Sequence, residues 1–224
     1  MTYKISFLAA ALALLFPLWG QGEDISTVSI EKDGTVVEET ARAVVSPEAW
    51  IPKKVKKESS AQVEDEGLRK ALLSYFADST YDTGLMTYAY NFVDLSGGGE
   101  EALVLLESPY TDREEKPALL IFEKDTDGWH MEQEITGISV PLVIPQKGKK
   151  DSTADFRPLY FMEDDETGEG TVKKLSPQGR LYPIAASGET VDVKSMKKMK
   201  GQAFFCSMNK KKEPLRWFSL AEEK

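Results

Sequence analysis

Apolar and polar positions along the chain follow two rhythms. Between Asp65 and Asp78 the residues Leu68, Leu72, Tyr75 and Phe76 recur at i, i+4, i+7 and i+8. That is one face of a 3.6-residue period and predicts a helix, with Asp65 as its N-cap. From Tyr88 onward the rhythm becomes strand-length apolar runs: 88–93, 102–107, 118–123 and 129–135, then 156–162, 171–175, 179–182, 203–208 and 215–220. Turn-rich or charged stretches separate them. Asp125-Thr126-Asp127-Gly128 puts an Asp-Gly cue between two apolar runs, a hairpin signal. Consecutive hairpins after one early helix predict an α+β domain over residues 63–224, a mainly antiparallel β-meander sheet with one packed helix.

The residues before it pattern differently. Met1 to Gly22 starts with a single positive residue, Lys4, and continues through Ile5 to Leu18 without a charge. Pro17 and the small-x-small Gly20-Gln21-Gly22 follow, the layout of a secretory signal peptide cut near Gly22. The alternative, a retained anchor, needs about 20 apolar residues to span a bilayer, and the run is shorter. Residues 23–62 read as an irregular N-terminal arm or linker. One short hairpin is expected within Asp24 to Val37, around the turn cue Lys32-Asp33-Gly34-Thr35. The charged run Lys53-Lys54-Val55-Lys56-Lys57-Glu58-Ser59-Ser60 reads as a solvated arm, with contact to an anionic surface as the alternative.

Composition narrows the chemistry. The 224 residues carry a formal charge of −9, one Cys and one His. One cysteine excludes an internal disulfide and a Cys-rich zinc site. One histidine excludes a two-histidine zinc motif. The acidic balance argues against a nucleic-acid partner, which favours a basic footprint. Charge is also uneven: residues 94–134 hold 12 acids against 3 bases, and residues 187–216 hold 8 bases against 3 acids. Such a chain either presents a bipolar surface that steers a charged partner or pairs and solvates these charges internally.

The most suggestive motif is Asn91-Phe92-Val93-Asp94-Leu95-Ser96-Gly97-Gly98-Gly99-Glu100-Glu101-Ala102-Leu103-Val104. It resembles the D-L-N-G-D-G-x-x-E-A-L-V hairpin of a family of small exported bacterial proteins, periplasmic proteins and lipoproteins. Ala118 to Glu123, Trp129, Asp155 to Leu159 and Gly179-Arg180-Leu181-Tyr182-Pro183 keep that family's element order, over roughly residues 66–185. The resemblance implies a helix-plus-meander fold and an exported location. It implies no activity, because the family has none that is settled. Asp94 keeps the first position of a calcium-type loop. Ser96 and Gly98 stand where further acids would be, so the loop offers fewer charged oxygens than the 6–8 ligands a calcium ion takes. Tyr110 to Lys116 replaces the Cys-rich loop common in the family.

No nucleophile–base set emerges. His130, between Trp129 and Met131, is the single imidazole, and no G-x-S-x-G elbow is present. Cys206 lies in the apolar run Ala203 to Met208 and reads as a buried free thiol. Asp94, Glu100, Glu101 and Glu107 are the acids from which a hydrolase pair would be drawn, and sequence does not give their geometry. No catalytic, cofactor-binding or metal-binding residue is assigned, and no cofactor is implied. The expectation is an exported periplasmic chain of non-enzymatic type, a protein-binding or inhibitor-like module with an envelope or extracellular protein partner. No nucleic acid and no membrane span after signal cleavage are expected. The alternatives are a hydrolase using acids near 94–107 and a structural envelope component.

Overall fold

The computed structural model describes residues 27–32, 35–40, 48–98, 100–109, 117–148, 155–164, 170–185 and 187–221. The expected leader at 1–22 and the loops at 110–116 and 149–154 lie outside the described residues. The chain divides into two compact units, Met1–Val45 and Ser46–Lys224.

In the first unit, β1 (Thr27–Lys32) pairs antiparallel with β2 (Thr35–Thr40). Lys32 is opposite Thr35, so the Asp-Gly cue falls between the two strands, at the expected hairpin.

The second unit opens earlier than expected. β3 (Val55–Lys57) is an edge strand lying parallel to β12 (Gly201–Phe204). The segment after it crosses from one sheet to the other. Phe205 N donates to Ser59 O at 2.9 Å, Cys206 N to Glu58 O at 3.0 Å, and Ala61 N to Tyr90 O at 2.8 Å. Residues 48–62 are therefore part of the folded unit rather than a linker. Trp50, Ile51 and Val55, spaced among the charges, are buried and hold the segment in place.

Asp65 caps α1 (Glu66–Phe76), its Oδ1 accepting from Leu68 N at 2.7 Å. Leu68, Leu72 and Phe76 enter an apolar cluster with Met86, Tyr88, Tyr90, Val104 and Phe122. Tyr75, expected on the same face, is exposed instead and donates to Glu134 Oε2 at 3.2 Å.

The strands β4 (Thr87–Val93), β5 (Glu101–Glu107), β6 (Ala118–Asp125) and β7 (Gly128–Ile135) form the expected antiparallel meander. With β13 (Phe218–Ser219) they make a five-stranded sheet in the order β13-β4-β5-β6-β7. The remaining strands are β8 (Leu142–Pro145), β9 (Leu159–Asp164), β10 (Gly170–Leu175) and β11 (Glu189–Thr190). They form a second sheet with β12 and β3, in the order β11-β10-β9-β8-β12-β3. The second unit is thus sheet-rich and mainly antiparallel, but it builds two sheets where one was expected. The reason lies in β5, where Ala102 to Leu106 are all buried. A strand buried on both faces needs a layer on each side. Leu103, Leu105, Leu119 and Ile121 pack on one side against Leu142, Ile144, Leu159 and Phe161 of the second sheet. α1 covers the other side. A third apolar cluster on the far side of the second sheet joins Trp50 and Val55 to Val143, Val172, Ala203 and Met196 of the short helix α2 (Val193–Met196).

Three expected strands differ. Residues 179–182 form a tight turn with Gly179 at φ 66°, closed by the Gln178–Leu181 pair. The run 203–208 stops as a strand at Phe204, because Phe205 takes φ 59° and leaves the ladder. The strand expected over 215–220 is two residues long. Among the described residues no helix is long and apolar enough to cross a membrane.

Candidate functional site

The β6–β7 hairpin and α1 together border a groove, a hollow of about 810 Å³. The hairpin turn is organised by Asp125, whose Oδ1 accepts from Asp127 N at 2.7 Å and Gly128 N at 3.1 Å. Gly128 supplies the positive φ, 126°, that the turn requires. Lys124 is opposite Trp129 in the ladder, and its ammonium lies 5.4 Å from the centre of the indole. Trp129 stacks on Phe92 of β4 with ring centres 5.3 Å apart and planes 3° apart. Phe92 is 51% exposed, an uncommon expense for a large apolar ring.

The helix side of the groove carries Asp65, Lys70 and Tyr75. Gly67 lies against the indole: an added Cβ would be 3.4 Å from Trp129 Cδ1, an ordinary contact distance. Beyond Trp129 a second hollow of about 400 Å³ shares Asp65, Lys124 and Trp129 with the first and adds Phe92, Asp94 and Glu100. Glu100 Oε2 lies 3.1 Å from Lys124 Nζ. The result is an aromatic shelf flanked by both signs of charge. It offers stacking area and ionic contacts.

The residues singled out in the sequence go to different places. Glu101 is fully buried and turned inward. Its carboxylate accepts from Leu95 N at 2.9 Å and from the Ser96 hydroxyl at 2.7 Å. Asp94 Oδ1 accepts from Gly97 N, and the Lys147 ammonium donates to Ser96 O. The loop's oxygens are thus occupied by its own donors and by a lysine, the reverse of a cation cradle. Among the described residues no three His, Cys, Asp or Glu side chains converge as a metal-ligand set. Glu107 lies at the far end of β5, within 3.4 Å of Thr87 Oγ1, so the acids 94–107 are not gathered at one point. The late Gly179 to Pro183 turn meets the early hairpin through Arg180. Its Nη2 is 2.6 Å from Glu123 Oε1 and 3.6 Å from Glu101 Oε1.

His130 is exposed at the edge of the groove, its Nε2 3.0 Å from Asp125 Oδ1. The backbone hydrogen bond from Asp127, together with the imidazole contact, holds the Asp125 carboxyl below the usual range. Ser74 lines the same groove, but among the described residues no hydrogen bond joins it to His130. Cys206 is fully buried, its Sγ donating to Ala203 O at 3.6 Å. Burial pushes its pKa up to about 12, so the thiolate needed for nucleophilic attack is disfavoured.

Phe92, Lys124 and Tyr75 were not legible as a site. An exposed aromatic on a strand has the same sequence appearance as a buried one, and the pairing across the four strands β4 to β7 is not local. In comparisons with protein-family models, curated proteins and solved structures, nothing matches the chain.

Proposed function

We propose that this chain is an exported, periplasmic α+β module of the kind suggested by its hairpin resemblance, cut near Gly22, and that it works by binding a protein in the cell envelope rather than by chemistry. The observation that carries the reading is the half-exposed Phe92 stacked on Trp129 in a groove bordered by Lys124, Asp65 and Glu100. Exposed aromatic area with a charged rim is the composition of contact surfaces that anchor a partner's side chains. The low-reactivity setting of Cys206 also favours binding over covalent catalysis.

Capture from an envelope fraction, with identification by mass spectrometry, tests the proposal. Wild type and Glu163→Gln should retain the same protein, and Phe92→Ser combined with Lys124→Glu should lose it. The hydrolase alternative predicts turnover of a peptide or glycan library that disappears with His130→Ala or Asp94→Asn. That result, without specific capture, overturns the binding reading.

A further inference from the structure

The lysine runs at 53–57 and 194–212 belong to no site described so far, and the fold unites part of each. β3 and β12 pair in parallel, with Val55 opposite Gly201 and Lys56 opposite Gln202. Lys54 and Lys200, one residue before each of these strands, therefore enter the sheet side by side, on neighbouring chains about 4.8 Å apart. Both are exposed. Like charges placed next to each other across strands are destabilising unless something offsets them.

Around this pair is a cleft of about 610 Å³ lined by Lys53, Lys54, Lys56, Lys200, Lys210 and Arg157, with no acidic residue in its lining. In a chain of net charge −9 this local sign is inverted. Lys56 is drawn to Glu58. Among the described residues Lys53, Lys54, Lys200 and Lys210 form no ion pair. Arg157 Nη1 donates to Pro145 O at 3.0 Å, while its Nε is buried without a partner. Four exposed ammonium groups that find no acidic partner among the described residues, gathered around one hollow, are an arrangement completed by an anion. The floor is fixed: a Cβ on Gly201 would come within 2.1 Å of Ile144 O, so β12 lies tight against β8.

We propose that this cleft binds two or more phosphate groups at once, carried on one soluble molecule or on adjacent lipid headgroups. A phosphate concentrates up to about two negative charges on three acceptor oxygens. Four ammonium groups around one hollow, none with an acidic partner among the described residues, exceed what a single carboxylate would need. The ligand's phosphates come either from a soluble polyphosphorylated molecule or from anionic lipid headgroups. None of the cleft's cations lines the Phe92–Trp129 groove, although Gln202 borders both this cleft and the smaller hollow beside Phe92.

Titration calorimetry with tripolyphosphate, and co-sedimentation with phosphatidylglycerol vesicles against phosphatidylcholine vesicles, tests it on the full chain. Lys54→Gln with Lys200→Gln should weaken binding at least tenfold, and so should the second pair, Lys53→Gln with Lys210→Gln. Lys197→Gln with Lys198→Gln removes the same charge outside the cleft and should change binding less than twofold. Binding of tripolyphosphate without vesicle retention supports a soluble phosphate ligand. Selective retention on phosphatidylglycerol, lost in the cleft variants, supports the headgroup. Absence of binding in both arms, or equal weakening by cleft and control variants, overturns the proposal.

Discussion

Replacing Glu101 by alanine removes the shared acceptor of two buried donors. The Leu95 amide, fully buried, and the Ser96 hydroxyl, 3% exposed, reach the carboxylate at 2.9 and 2.7 Å. Each donor left unsatisfied costs about 1–3 kcal/mol, so the variant should lose about 2–6 kcal/mol. Arg180 adds little: it is 42% exposed and keeps Glu123 at 2.6 Å. Arg180→Ala should therefore cost no more than about 1 kcal/mol. Glu101→Gln, which retains one carbonyl oxygen but turns an NH2 toward a donor, should fall between them. Urea unfolding followed by tryptophan fluorescence reads all three, with a lower midpoint and an unchanged slope as the expected signature. A Glu101→Ala midpoint within about 0.5 kcal/mol of wild type, or no lower than that of Arg180→Ala, would refute the view that this carboxylate holds the hairpin loop together.

Gly201→Ala drives a Cβ to within 2.1 Å of Ile144 O and 2.9 Å of Pro145 Cα, both backbone atoms that cannot swing away. It should cost about 1–3 kcal/mol by thermal or urea unfolding; a variant as stable as wild type contradicts the tight β8–β12 approach. Cys206 should resist a thiol reagent at neutral pH in the folded chain and react fully in urea. Because its folded pKa is raised to about 12 by burial, the unfolded chain releases the proton first. Stability is then full below about pH 8.5 and falls as pH rises toward the folded value, a slope that Cys206→Ala should reduce. At Glu48 burial raises the pKa, but hydrogen bonds from the Lys57 ammonium and from the Ser207 hydroxyl and amide outweigh it and hold the carboxyl below its ordinary value. Its contribution is present above the unfolded value and lost as pH falls through the lowered folded one. Glu48→Gln should cost about 1–3 kcal/mol at neutral pH and flatten that acid limb; equal midpoints at neutral pH would count against it.

The meander was readable because Ala102 to Leu106 and Ala118 to Phe122 are uninterrupted apolar runs, and Asp125 to Gly128 supplies its own turn chemistry. β3 was hidden for the opposite reason. Two of its three residues are lysines, as suits an exposed edge strand, and its single buried anchor, Val55, was masked by the charge around it. The second sheet was hidden because β8 is a four-residue run bounded by Pro141 and Pro145, and because periodicity does not reveal what covers the second face of β5. The same limit applies to the two candidate sites. Phe92 meets Trp129 only after the four strands β4 to β7 are paired, and Lys54 meets Lys200 only through the parallel β3–β12 contact. Sequence offers Glu101 as one of several acids for a hydrolase pair, and only the fold turns its carboxylate inward.

The most direct measurement is the hydrogen-exchange footprint of the full chain with its captured envelope protein. Binding through the aromatic shelf predicts protection concentrated in residues 66–76 and 124–131, lost with Phe92→Ser and Lys124→Glu. Protection confined to other segments, or an unchanged footprint in that variant, would contradict the account.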